Sequence, residues 1–196
     1  ANYTLESNID ASETSTWNSN PEYTVERGSW SGFDSGTVFD VGSPITSVSS
    51  VVNDSSASVD YTVTDAEAGK IRIDEDTDSY VDITFTGEYA GFNSIGNDST
   101  AFTGSFNGSD YTISNLTIIR PDEDYVGLFG NVSDGDTPAT VKNVSLSDVT
   151  VTGDGYVGGL VGHSEGDIDT ASATGKVTGF SNNVGGLVGF SSDGAV

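Results

Sequence analysis

YVGGLVG spans Tyr156–Gly162, NVGGLVG spans Asn183–Gly189, and a shorter version, YVGLFG, spans Tyr125–Gly130. The phrases end at Gly130, Gly162 and Gly189, in steps of 32 and 27 residues. Self-similarity at a period of about 20–50 residues marks stacked units, none of which buries its apolar face alone. The text between the phrases recurs as well: VKNVSLSDVTVTGDG at Val141–Gly155 is answered by IDTASATGKVTGFS at Ile168–Ser181. Each unit holds two or three short strands broken by Gly, Asn, Asp and Ser, which suits one coil of a parallel β-helix. The repeat positions are Gly127, Leu128 and Gly130, then Gly159, Leu160 and Gly162, then Gly186, Leu187 and Gly189. Leu160, Val161, Leu187 and Val188 are expected to pack inward. The glycines are expected to supply positive φ at corners and to let neighbouring backbones approach closely. The rhythm runs on to Val196, so either further coils beyond it, the favoured expectation, or another subunit is expected to cover the last coil.

Upstream of about Phe92 the texture differs. Candidate strands lie at Glu22–Arg27, Thr37–Gly42, Ile45–Val52, Ser58–Thr64, Lys70–Ile73 and Tyr80–Tyr89. Period-2 alternation with turn residues between the runs indicates antiparallel strands with one buried face, and six at this spacing suggest a small β-sandwich. The best helical candidate, TDAEAGK at Thr64–Lys70, is one turn long. The fold class is therefore all-β: an extended arm over 1–20, which Trp17 would dock, a β-sandwich over 21–89 and a β-solenoid over 90–196. Trp17, Tyr23, Trp30 and Phe33 read as core or edge cover, or as a binding patch if exposed.

Thirty acidic residues face six basic ones, for a formal net charge of -24. The acids are spread along the chain rather than gathered in a tail. Such a surface holds water, and its self-repulsion becomes tolerable when molar salt screens it. A halophilic source is expected. The same charge argues against nucleic acid or an anionic membrane as partner. No apolar run is long enough to insert in a membrane, and without Cys there is no disulfide or thiolate site.

The glycine phrases, preceded by FTGSFNGSDYTISNLTI at Phe102–Ile118, resemble the GLUG-repeat family of secreted and surface-exposed adhesin-like proteins over about residues 93–196. The resemblance implies a right-handed β-solenoid with a display or adhesion role and no enzymatic activity. YVGLFG has one glycine fewer than its successors, as an atypical first coil would. The segment Val41–Tyr89 is similar to small β-domains in structural proteins of tailed viruses. With the acidic surface, that similarity points to a virus of haloarchaea.

Asp74, Asp76 and Asp78 alternate as at the start of a calcium loop, with calcium the only candidate cofactor. Position six is Ser79 rather than Gly, and no Glu follows at position twelve, so a solvated hairpin tip is the competing reading. DED at Asp122–Asp124 and DGD at Asp134–Asp136 read the same way. Paired carboxylates on a β-helix can hydrolyse glycosides, but the cations that position a substrate are few here. His163 is the only His, and no nucleophile elbow accompanies it. No reaction is indicated. Seven Asn-x-Ser/Thr sequons begin at Asn2, Asn53, Asn97, Asn107, Asn115, Asn131 and Asn143, and Asn115 would have to point outward from its strand to be modified.

The sequence thus points to a structural or adhesive component of a virion surface appendage such as a tail fibre, spike or turret. The alternatives are a haloarchaeal cell-surface adhesin or filament subunit, and a polysaccharide-degrading β-helix. Expected partners are other structural proteins, further copies of the chain, and a host surface protein or glycan.

Overall fold

Left-handed residues set the corners of this molecule. The computed structural model describes residues 1–18, 20–27, 34–41, 45–53, 55–66, 69–77, 81–135 and 138–192. Its described elements are β-strands and one 3-10 turn at Ser12–Thr16, so the protein is all-β. The chain forms two compact units, one of Ala1–Asn18 with Ala90–Val196 and one of Ser19–Tyr89.

In the first unit short strands stack in parallel. Ser105, Thr140 and Asp167 occupy one column, and Asn2 joins it from the chain's first strand, Asn2–Thr4. Thr112–Ser114 pairs with the middle of strand Thr140–Gly153 on one side and with Ile9–Asp10 on the other. Phe129, Val161 and Val188 form a further column. The long strands bend where φ turns positive: at Asn143 (53°) and Asp148 (56°) in Thr140–Gly153, and at Thr170 (51°) and Gly175 (131°) in Asp167–Gly179. Asn and Asp adopt this region more readily than other side chains. Asn115 (59°) sits one coil before Asp148, so it is a corner between strands Thr112–Ser114 and Thr117–Ile119 rather than a strand residue.

Between corners, inward side chains stack on their own kind. Phe106, Val141 and Ile168 share a column, as do Ile113, Leu146 and Ala173, and Ile118, Val151 and Val177. Val141, Ile118 and Val151 are completely buried. Burying one such side chain contributes about 1.5–3 kcal/mol, and the columns repeat that gain coil by coil.

Residues 1–18, expected as an extended arm, make part of the first coil of this stack. They have no glycine phrase, and their pairing partners lie a hundred residues away, so the local pattern hides them. Trp17 is 45% exposed. The chain leaves this unit after Asn18 and re-enters at Ala90, with the amide of Gly91 donating to the Trp17 carbonyl at 2.7 Å. Ala90 and Gly91 then pair antiparallel with Ile119 and Ile118, so the stack is not purely parallel.

The second unit holds two antiparallel sheets. Val81–Gly91, up to Tyr89, lies between Asn20–Arg27 and Ile45–Asn53, and Lys70–Ile73 lies between Val38–Asp40 and Tyr61–Asp65. Ile71 and Ile73 from one sheet share a core with Ile83 and Phe85 from the other. The helical candidate at Thr64–Lys70 is a strand end and a turn: Thr64 and Asp65 close strand Tyr61–Asp65, and Gly69 takes φ 66° before Lys70 opens the next strand. Trp30 and Phe33 lie outside the described residues, as does the side chain of Tyr23.

Candidate functional site

The glycine phrases come together on one side of the first unit. Leu160 and Val161 are completely buried and Leu128 nearly so, while Leu187 and Val188 are partly buried against the same core. The phrase glycines do not take positive φ. That conformation falls on the residue opening each phrase: Tyr125 (62°), Tyr156 (51°) and Asn183 (66°). All of them but Gly186 serve close approach. A Cβ on Gly159 would lie 2.6 Å from the carbonyl oxygen of Gly186, and one on Gly127 2.8 Å from that of Gly158.

Left-handed backbone at Tyr125 and Tyr156 aims both rings along the stack. Their centroids are 4.8 Å apart and their planes 2° from parallel. The residue after each phrase makes a second column, Asn131, His163 and Phe190. His163 and Phe190 stack at 5.5 Å, and the His163 ring meets both tyrosines edge-on at 5.9 and 5.6 Å. His163 Nδ1 lies 3.0 Å from Asn131 Oδ1, one coil away. Partial burial, followed by the charge of Asp98, raises the Tyr125 phenol above its ordinary pKa. Two of the ring pairs stack face to face, and Phe190 is 38% exposed. Such a column ties coils together and leaves an aromatic edge beside carboxylates.

Arg120 is almost fully buried and donates to the carbonyls of Ile119 (2.7 Å) and Ala90 (3.0 Å) and to Asn93 Oδ1 (2.5 Å). Composition did not single it out, although an Arg directly after the buried strand Thr117–Ile119 is a signal. Burial raises the Glu123 carboxyl pKa, opposed by the Arg120 charge 4.0 Å away.

Two of the three calcium candidates, Asp74 and Asp76, have protein partners. Asp74 accepts hydrogen bonds from Arg72 Nε (2.6 Å) and from Thr62, and these two partners hold its pKa down. Asp76 accepts from the Ser35 amide at 2.8 Å. Asp78 lies outside the described residues, as does Asp136. Among the described residues no three His, Cys, Asp or Glu side chains are grouped to hold a metal ion. Several sequon amides are engaged: Asn115 Nδ2 donates to Asp10 Oδ1 (3.1 Å) and Asn143 Nδ2 to Asn107 Oδ1 (3.0 Å).

This geometry can be set against known proteins. The motif described as the GLUG motif matches residues 153–178, from the corner before the second phrase into the strand after it. The chain carries a GLUG motif. The chain is 47% identical over 103 residues, 51% of its length, to halomucin of Haloquadratum walsbyi. Over 85 residues, 42% of its length, it is 36% identical to a putative Gly-rich membrane protein of Evansella cellulosilytica. It spans only 1% and 10% of those two proteins. No solved structure matches the chain significantly. Among the described residues no helix is long and apolar enough to cross a membrane. The resemblance to GLUG-repeat proteins is thereby shown.

Proposed function

We propose that this chain is a structural, non-enzymatic segment of a haloarchaeal cell-surface protein, with its GLUG coils forming a right-handed β-solenoid that supports display or adhesion. The observation that carries the reading is the parallel strand stack through the GLUG motif, within a chain of net charge -24 that is 47% identical over half its length to halomucin. Right-handedness follows from the chirality of parallel crossovers, which are right-handed in about 98% of cases. The second relative, named as a membrane protein, favours a cell envelope. Neither relative is named as a virion component, so the tail-fibre expectation gives way to the cell-surface one. The aromatic edge of Tyr125, Tyr156 and Phe190 is the surface best suited to a host protein or glycan.

Antibody labelling of intact cells that make the protein, kept in their growth salt, tests the location. Labelling of unbroken cells is expected. A signal appearing only after lysis would overturn the proposal.

A further inference from the structure

The seven sequons place the same three-residue pattern in very different surroundings. Attachment of a sugar takes place at Asn Nδ2, on a surface that leaves room for a bulky group, with the sequon's hydroxyl residue presented beside it. Asn131 is only 9% exposed, and its Nδ2 donates to the Asn97 carbonyl at 3.4 Å. Asn143 is half-buried and its Nδ2 donates to Asn107 Oδ1, while the Nδ2 of exposed Asn115 is held by Asp10.

Asn97 differs from these. It lies outside any strand, between Val81–Gly91 and Ser105–Asn107, and it and the next three residues are exposed. Its Oδ1 accepts the backbone amides of Ser99 at 3.0 Å and Thr100 at 2.8 Å. Two N–H donors meet that end of the side chain, so the oxygen faces the turn and Nδ2 faces away from it. Among the described residues Nδ2 has no partner. The same turn draws Ser99, the hydroxyl residue of this sequon, back toward the Asn97 side chain. The main chain is anchored separately, with the Asn97 amide donating to the Thr100 carbonyl at 3.0 Å and the Asn97 carbonyl accepting from Asn131. A group added to Nδ2 therefore breaks none of these hydrogen bonds. Asn53 and Asn107 make the same turn, on the amides of Ser55 and Ser109, but both are half-buried, and Asn107 Oδ1 also holds Asn143. Asn2 is exposed but sits in a paired strand rather than a turn.

We propose that Asn97 is an N-glycosylation site, taking its oligosaccharide from a lipid-phosphate-linked donor, and that Asn131 and Asn143 stay bare. In the transfer a bond forms between Nδ2 and the anomeric carbon of the first sugar as the bond from that carbon to the phosphate oxygen breaks. The lipid phosphate leaves with the electron pair, and Nδ2 gives up one proton to a base of the transferring enzyme and keeps the other. The inference rests on the cell-surface reading, because an exported chain is the one that meets such a donor.

Glycopeptide mapping of the protein from cells that make it tests the site. Sugar on Asn97 with bare Asn131 and Asn143 is expected. Ser99→Ala removes a hydroxyl that has no partner among the described residues and leaves Asn97 and the turn's backbone amides in place. This variant is expected to lose the whole glycan mass from Asn97, and Ser99→Thr to keep it. Asn97 found bare, Asn97 still modified in Ser99→Ala, or sugar on Asn131 or Asn143 would each overturn the proposal. Intact cells that label with antibody and yield bare Asn97 refute this inference alone, whereas cells that label only after lysis and yield bare Asn97 refute the cell-surface reading with it.

Discussion

Tyr156 holds a backbone conformation that suits Asn or Gly better, and its ring is what sustains it there. Left-handed φ costs an ordinary side chain about 1–2 kcal/mol, and an aromatic stack returns about 0.5–1.5 kcal/mol beyond burial. Tyr156→Ala keeps the strain and loses the ring, so unfolding by denaturant should show a loss of about 2 kcal/mol or more once burial is added. Tyr156→Asn, the residue the third phrase uses at Asn183, should be milder by about 1 kcal/mol because Asn tolerates the conformation. Equal losses would show that strain has no part in the balance. Asp10 makes a second residue-level case. Hydrogen bonds from Asn115 and then Ser12 lower its carboxyl pKa, and Asn115 lies on the next coil. A carboxylate with a lowered folded pKa stabilises above its unfolded pKa of about 3.9, and the benefit disappears as pH falls through the folded value. The stability gap between wild type and Asp10→Asn should therefore be steady from neutral pH down to about pH 4 and narrow below it. Parallel curves down to pH 2 would refute this role.

Within a coil, the glycines hold the spacing and the leucines the core. Gly159→Ala sets a Cβ against the Gly186 carbonyl, which overpacking data place at about 1–3 kcal/mol of lost stability. Gly186→Ala meets open space among the described residues and should change stability by no more than about 0.5 kcal/mol. Melts of the two variants at micromolar concentration decide it, and similar losses would mean the glycines act through chain flexibility instead. Much of this level was readable from the phrases, since Leu128, Leu160 and Leu187 stand at one place in the repeat and face one core. The corners were not. Propensity puts glycine at positive φ, whereas this chain puts Tyr125 and Tyr156 there, and only the stacked rings explain the choice. The column of Asn131, His163 and Phe190 did leave a trace, because each follows the last glycine of its phrase. The first coil left none: Asn2–Thr4 and Ile9–Asp10 are too short to show a period, and their partners come after an insertion.

Across the whole molecule, charge decides where the protein is at home. With 30 acids and six bases, neighbouring carboxylates repel wherever water alone separates them. Raising ionic strength from about 0.01 M to 1 M shortens the screening length from about 30 Å to about 3 Å. The melting temperature should climb with KCl into the molar range, and a midpoint equally high in dilute buffer would refute the halophilic reading. Both compact units should respond, since acids are spread along both. The placement of Ser19–Tyr89 within the first coil also governs how the chain folds while it is being made. At about 5–20 residues per second, Asn2 waits about 5–20 s on the ribosome before Ser105, its neighbour in the ladder, has been synthesised. The inserted unit can finish during that delay, because every strand it pairs lies within residues 20–89. Strand Asn2–Thr4 therefore stays unpaired through that delay, and it can join the stack only once the strand that holds Ser105 has emerged, ahead of the strands that begin at Thr140 and Asp167.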